Sequence, residues 1–311
     1  MNSLTKAALP FSVLIMVGCA SNTSSARDIK AGAADGPADA IKYKGQFPKG
    51  KGYKTATLTV AGVARKVEIY LPAGLSARAP VLITFQGTND DAKKMIESSA
   101  AKNVGDKQDA IIISPWARKL SSGDWDNHTG SETYWETYPN TDPNKNVDLL
   151  LVRAIIQEAK RAYSADTTRV YVLGHSSGGF FAVLAGLALQ DRVAAFVSNS
   201  AGLVRCKGTG SCKFKGKGTG CSSLASQPGY CACSGASKPV TVPAKGRKVP
   251  GYLVHANDDP VVSVYYTCSL AAEMKSKGHP VTVKIENGGG HGMPFPLAQS
   301  AWSVISKHRL K

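Results

Sequence analysis

From Tyr53 onward, two kinds of apolar pattern take turns along the chain. Thr55–Val60 and Arg65–Leu71 alternate apolar and polar positions, with Ala61-Gly62 between them, which predicts a hairpin. Val81–Phe85 and Ala110–Ser114 are continuous apolar runs, the pattern of strands covered on both faces. Asp90–Asn103 predicts a helix. Val147–Tyr163 carries Leu150, Leu151, Ala154, Ile155 and Ala159 at helical spacing with charges between them, a long amphipathic helix. Arg169–Leu173, Val193–Val197, Gly251–Val254 and Val281–Ile285 predict four more strands, with helices after Val261 and after Pro296. Two opening strands followed by alternating strands and helices predict an α/β fold: a mostly parallel eight-stranded sheet with helices on both faces.

Three stretches fall outside the pattern. Residues 1–18 pair Lys6 with an uncharged run ending at Gly18, a signal peptide too short to span a membrane. Residues 19–52 are rich in Ser, Ala, Gly and Lys and predict a flexible tether, with one folded domain over 53–311 and folded structure beginning near Tyr53. Inside that domain, 116–146 brings Trp125, Tyr134, Trp135 and Tyr138 together. Those aromatics suit either stacking on a sugar or aromatic acyl group, or packing of the insert itself. Residues 203–250 form a basic, Cys-rich insert without Asp or Glu, and loops of this length are usually functional or disordered.

Chemistry concentrates at the end of the fifth predicted strand. There Gly174-His175-Ser176-Ser177-Gly178-Gly179 separates a β-branched run from the apolar stretch Phe180–Leu189. Strand, sharp turn and helix around Gly-x-Ser-x-Gly make a nucleophile elbow with Ser176 at its tip. A serine hydroxyl needs a base to take its proton and a carboxylate to orient that base. His291, among Gly288, Gly289, Gly290 and Gly292, sits where the base belongs, in a loop flexible enough for the imidazole to swing to the serine. Asp258 and Asp259, after the strand that ends near His255, both sit where the acid belongs. An oxyanion hole needs two N–H groups. Ser177 supplies one, and the loop after Phe85 supplies the other through Thr88, with Gly87 as the alternative. Asp142, Asn144, Asn146 and Asp148 alternate as calcium ligands do, but without the glycine and closing glutamate of an EF-hand; Asn146 as a helix cap accounts for the pattern. No cofactor and no metal is expected.

The stretch Asp166-x-x-Arg169-Val170-Tyr171-x-x-Gly174-His175-Ser176-Ser177-Gly178-Gly179, with Asn146-Val147-Asp148 upstream, resembles the exported esterases of the polyhydroxybutyrate depolymerase, feruloyl esterase and acetylxylan esterase group. The resemblance implies the α/β-hydrolase fold and ester hydrolysis through an acyl-enzyme. The pattern His-Gly-x-x-Asp-x-x-Val of such enzymes falls on His255-Ala256-Asn257-Asp258-Asp259-Pro260-Val261-Val262, which places the acid at Asp259. Where relatives often carry His-Gly after the third strand, this chain has Gln86-Gly87, so the hydrogen bonding beneath that loop must differ. The implied substrate is a feruloyl or acetyl ester on polysaccharide, or a hydroxyalkanoate polyester. Two other readings stay open. A serine peptidase on the same fold is disfavoured because no large accessory domain is seen. A non-catalytic envelope lipoprotein gripping a polyanion is disfavoured because all three triad positions are filled.

Charge and cysteines add a compartment. The formal net charge of +16 suits either solubility or contact with an anionic envelope polymer, and no motif points to nucleic acid. Six cysteines, Cys206, Cys212, Cys221, Cys231, Cys233 and Cys268, predict three disulfides of undetermined pairing in an exported chain. A bond to Cys268 would pin the 203–250 insert beside the acid loop as a lid. Val17-Gly18-Cys19 resembles a bacterial lipobox, with Met16 where leucine is usual, and implies acylation of Cys19. With Ala20 after it, the resemblance implies an outer-membrane lipoprotein held through lipid alone, a plain secreted protein being the alternative. Intact-mass measurement of the mature protein tests this: acyl chains on Cys19 are expected, and their loss in Cys19→Ser.

Overall fold

A sheet of nine strands runs through the structure, a computed structural model that describes residues 27–29, 40–120, 132–137, 141–205, 221 and 240–311. The signal segment, Cys19, most of the tether, Trp125, Tyr138, Cys206, Cys212, Cys231 and Cys233 lie outside the described residues. The strands are β1 (Tyr43–Lys44), β2 (Gly52–Val60), β3 (Val63–Leu71), β4 (Val81–Phe85), β5 (Ile111–Pro115), β6 (Val170–His175), β7 (Ala195–Asn199), β8 (Gly251–Ala256) and β9 (Val281–Glu286). Their spatial order is β9-β8-β7-β6-β4-β5-β3-β2-β1. β4 to β9 run parallel, and β1, β2 and β3 join antiparallel. The hairpin β2–β3 turns through Ala61 and Gly62, both at positive φ, the tight two-residue turn that matches strand twist.

The continuous apolar runs are buried on both faces, as their pattern predicts. Along β4, Val81, Ile83 and Phe85 enter one core while Leu82 enters the other. Along β6, Val170 and Val172 face the first core, and Tyr171 and Leu173 the second. The period of two thus builds two cores from one sheet. The first is covered by α3 (Val147–Tyr163), α4 (Ser177–Ala188) and α5 (Tyr265–Ser276); the second by α1 (Ala92–Ser98), α2 (Ala101–Gln108) and α6 (Leu297–Ile305). Asn146 caps α3, its side chain accepting from the N–H groups of Asp148 and Leu149.

Three expectations are corrected. The helix predicted over Asp90–Asn103 is two helices, broken where Ala100 takes φ 61°. The break frees Ser99 O from the helical ladder to accept Ala298 N–H at 2.7 Å, which seats α6. The sheet has nine strands rather than eight, and ordered chain begins before Tyr53. Tyr43–Lys44 pairs with β2, and Phe47 is only 4% exposed. The reason is Glu158, buried in α3: its carboxylate accepts from Phe47 N–H at 2.7 Å and from Tyr43 OH at 2.6 Å. Burial alone would raise the Glu158 carboxyl, but hydrogen bonds from Arg161, Tyr43 and Phe47 outweigh it and hold the group below its ordinary range.

Glu158→Leu should therefore release the 40–48 strap. Tyr43 and Phe47 in the strap and Arg161 in α3 lose their acceptor, and a loss of about 2 kcal/mol is expected in urea unfolding, with faster amide exchange at Phe47. Unchanged exchange there would show that the strap is held without Glu158, by its pairing with β2 and its bonds to Gln157 and Tyr163.

Candidate active site

The chain lays β5 on one side of β4 and then β6 on the other, so a crevice opens beyond the carboxyl ends of β4 and β6. The elbow stands in that crevice. Ser176 has φ 54° and ψ −124°, a backbone that costs a non-glycine residue about 1–3 kcal/mol. Its N–H is tied to Asn199 O at 3.0 Å, at the end of β7. The neighbouring glycines leave the space that this geometry requires. A Cβ on Gly174 would stand 1.9 Å from Gly178 O, and one on Gly178 would stand 2.2 Å from Phe85 O.

Three sequence-predicted residues meet here. His291 Nε2 lies 2.9 Å from Ser176 Oγ, and His291 Nδ1 lies 2.7 Å from Asp259 Oδ2. With Nδ1 donating to the carboxylate, Nε2 is left to accept the serine proton. Asp259 is fully buried, and its other oxygen accepts from the N–H groups of Val261 (2.8 Å) and Val262 (2.9 Å). Burial pushes this carboxyl up; hydrogen bonds from His255, His291, Val262 and Val261 push harder and hold it well below the usual carboxylate range. Asp258 points elsewhere and accepts Gly290 N–H at 2.9 Å.

The His291 loop is fastened, not free to swing as its glycines suggest. Asn257 Oδ1 accepts Gly288 N–H at 2.9 Å, Asp258 holds Gly290, and Asn199 Nδ2 donates to Gly292 O at 3.2 Å. Gly288, Gly289 and Gly290 all take positive φ, the reason for glycine at each.

On the other side of Ser176 lies the loop after β4. Gly87 is close enough that an added Cβ would be 3.4 Å from Ser176 Cβ, and half-buried Thr88 follows it. Ser177 opens α4 directly after the elbow. Beneath the loop the Gln86 amide is buried, its nitrogen facing Pro115 O (3.0 Å) and its oxygen facing Ala117 N–H (2.8 Å). The first insert reaches the same loop. Trp135 Nε1–H donates to Gln86 O at 2.9 Å, and Asn89 and Thr133 exchange two bonds. Tyr134 and Trp135 are both buried, and Trp135 stacks on Phe181, so these two aromatics serve packing rather than ligand stacking. A buried ion pair, Arg65 with Asp148, secures the insert: Asp148 Oδ2 accepts Glu136 N–H at 2.8 Å.

Sequence reasoning missed the supports. Asn199, Asn257 and Thr267 carry no motif that marks them, although Asn257 stands beside the two candidate acids; His255 begins the pattern that locates Asp259 and Trp135 is one of the insert's aromatics, but neither pattern says what the side chain holds. Cys221 and Cys268 form a disulfide, which ties one residue of the Cys-rich insert to α5 next to Thr267. Among the described residues no group of three His, Cys, Asp or Glu side chains could hold a metal ion.

Comparison with known proteins is informative at the level of family. The model of the prolyl oligopeptidase family matches residues 127–304, more than half of the chain. The chain belongs to the prolyl oligopeptidase family. Membership makes it a serine hydrolase. This prolyl oligopeptidase family chain is 26% identical over 135 residues to the bifunctional acetylxylan esterase/xylanase XynS20E of Neocallimastix patriciarum, a match covering 43% of this chain and 18% of that one. The chain thus spans about a fifth of the curated relative that it matches. The S-formylglutathione hydrolase of Agrobacterium tumefaciens superposes with a TM-score of 0.57 at 12% identity, over 85% of this chain and 98% of that one. The acetyl xylan esterase of Aspergillus awamori gives 0.54 at 12% identity, over 84% and 97%. These superpositions establish the α/β-hydrolase fold.

His175 supplies a pH dependence. Burial first, and the nearby His291 second, push its imidazole down to about 4, and Asn199 Nδ2 donates to its Nδ1 at 2.7 Å, which requires the neutral ring. The unfolded chain takes up this proton near 6.5 and the folded chain only near 4, so between those values the unfolded state binds more protons. Stability should fall on acidification from pH 6.5 to 4, by about 3 kcal/mol from this group. His279, also lowered by burial, adds in the same direction. Urea midpoints at pH 7 and 4.5 check this, and His175→Gln should flatten the difference.

Proposed function

We propose that the protein hydrolyses carboxylic esters through Ser176, His291 and Asp259. One observation carries the reading: the same imidazole bonds Ser176 Oγ with one nitrogen and a buried carboxylate with the other. Ser176 Oγ attacks the ester carbonyl while His291 Nε2 takes its proton. The tetrahedral oxyanion is met by the N–H of Ser177 and that of Thr88 or Gly87. His291 gives the proton to the departing alcohol, and the acyl group remains on Ser176. Water then attacks the acyl-enzyme, passes its proton to Nε2, and the acid leaves as Oγ recovers its hydrogen. Throughout, Asp259 keeps Nδ1 protonated and stabilises the transient imidazolium.

The proposed substrate is an acetyl or feruloyl ester on polysaccharide. The name of the curated relative, an acetylxylan esterase, supports the first; a hydroxyalkanoate polyester is the rival within the class. A peptidase is the second reading, favoured by the family to which the chain belongs. We further propose an exported, lipid-anchored enzyme whose 203–250 insert acts as a basic lid influencing substrate choice.

A short-chain nitrophenyl ester separates these readings from a non-catalytic one. Wild type should turn it over, Ser176→Ala should lose about 10⁶-fold, and Ser177→Ala, which keeps its amide, should lose little. Asp259→Asn should lose about 10⁴-fold by admitting the wrong tautomer. Asp258→Asn keeps an oxygen for Gly290 N–H and should stay near wild type. Absence of turnover by wild type would end the hydrolase reading, and faster cleavage of peptides than of acetylxylan or feruloyl esters would favour the peptidase.

A further inference from the structure

The hydrogen-bond chain does not stop at Asp259. His255, fully buried near the end of β8, brings Nε2 to 3.1 Å from Asp259 Oδ2, the oxygen that His291 also uses. The same Nε2 lies 2.9 Å from Val262 O. Both neighbours only accept, so Nε2 carries a hydrogen and shares it between them. On the far side of the ring, Nδ1 is 2.7 Å from Thr267 Oγ1 in α5, and the Thr267 hydroxyl lies 2.6 Å from Ala201 O.

We propose that His255 is a positioning residue that holds the Asp259 carboxylate, and through it His291, against the frame of the sheet, with Thr267 fixing the ring. The inference rests on reading Ser176, His291 and Asp259 as the working triad.

The argument is one of anchorage. A carboxylate offers about four acceptor sites. On Asp259 two are taken by Val261 and Val262, whose N–H groups belong to its own turn and move with it. A third is taken by His291, the group to be oriented. Among the described residues only His255 joins the carboxylate to the interior of the sheet, because β8 is hydrogen-bonded on both sides. The circuit then closes on the elbow. Ala201 follows β7, and a Cβ on Gly179 would stand 2.7 Å from Ala201 Cβ. Ser176, His291, Asp259, His255, Thr267 and Ala201 thus form a ring of contacts that returns to the turn where it began.

Two consequences follow for catalysis. Loss of the His255 donor empties one acceptor site on Oδ2, and sub-ångström misplacement of His291 lowers kcat without touching the binding of a small ester. It also removes one of the donors that favour the charged carboxylate, which makes Asp259 the stronger partner for a protonated His291. Among the described residues the titratable groups around Asp259 are His255 and His291 in contact and His175 behind His291; Asp258 is turned to Gly290.

The test is the pH profile of nitrophenyl acetate hydrolysis by the full chain. His255→Phe keeps an aromatic ring and removes the donor. We expect kcat to fall about 10- to 100-fold with KM unchanged, and the acid limb of kcat/KM to move up by about half a pH unit. His255→Gln restores an N–H and should bring both back toward wild type. A merely structural residue would lower the amount of folded enzyme and leave the limb in place. A folded His255→Phe with wild-type kcat, or an unmoved limb, would overturn the proposal. Should His255→Phe fail to fold, Thr267→Val decides instead: removal of the Nδ1 partner must move the limb in the same direction, and an unmoved limb rejects the idea. Absence of ester turnover by wild type is a different failure, that of the triad reading itself.

Discussion

Everything at this site depends on one strained residue. Ser176 is held in a left-handed backbone between β6 and α4, and the hydroxyl reaches the crevice only from there. The strain is tolerated because the surroundings over-determine it. Gly174 and Gly178 allow two backbones to pass at distances that no Cβ permits, and Asn199 O captures the Ser176 amide. Asn199 then uses its side chain on His175 and on Gly292 O, so one residue at the end of β7 addresses both the elbow and the histidine loop. Ser176 and His291 are therefore positioned by a common neighbour rather than by two independent loops.

The opposite wall follows a similar logic with different chemistry. The loop that faces Ser176 from β4 has little structure of its own, so it borrows rigidity from the first insert. Trp135 reaches Gln86 O, Thr133 pairs with Asn89, and Gln86 spans Pro115 and Ala117. Trp135 seats the insert in the apolar core, and a polar contact must hold the segment around it. The buried pair Arg65 and Asp148 does so, with Arg118 bridging to Glu136 at 3.0 Å. A buried pair of this kind contributes little net stability, since desolvation offsets the attraction, but removing one partner strands the other. Its value here is directional: it defines where Trp135 must lie.

Much of this was legible in the sequence, and the exceptions have physical causes. Nearly continuous apolar runs announced β4 and β5 because burial on both faces leaves room for few polar side chains, Thr84 and Ser114 among them. The elbow was legible because steric crowding admits only glycine at fixed offsets from Ser176. Asp259 over Asp258 needed the family pattern, since a turn places adjacent carboxylates in opposite directions and periodicity is silent there. The edge strand Tyr43–Lys44 was missed because an edge carries lysine and needs no apolar run; its anchor, Glu158, looks from sequence like one more charge on an amphipathic helix. The break at Ala100 was missed because nothing local forces it. It is set by Ala298, nearly two hundred residues away, which takes the carbonyl of Ser99.

The supporting polar residues were invisible for a deeper reason. Asn199, Asn257, His255 and Thr267 lie in strands, turns and a helix where their types are unremarkable, and their partners come from other elements. His255, steadied by Thr267, helps to keep Asp259 charged while it is wholly out of water, and Asn199 and Asn257 fasten the His291 loop beside it. An isolated buried carboxylate would simply take up a proton. Four donors prevent that here, two from its own turn and two imidazoles from different strands' ends. Supplying them requires that β8, the His291 loop and the turn after Asp259 converge on a single side chain, α5 reaching it only through Thr267 and His255. The convergence of elements beyond the carboxyl edge of the sheet is thus dictated less by the shape of a substrate than by the solvation of one buried charge.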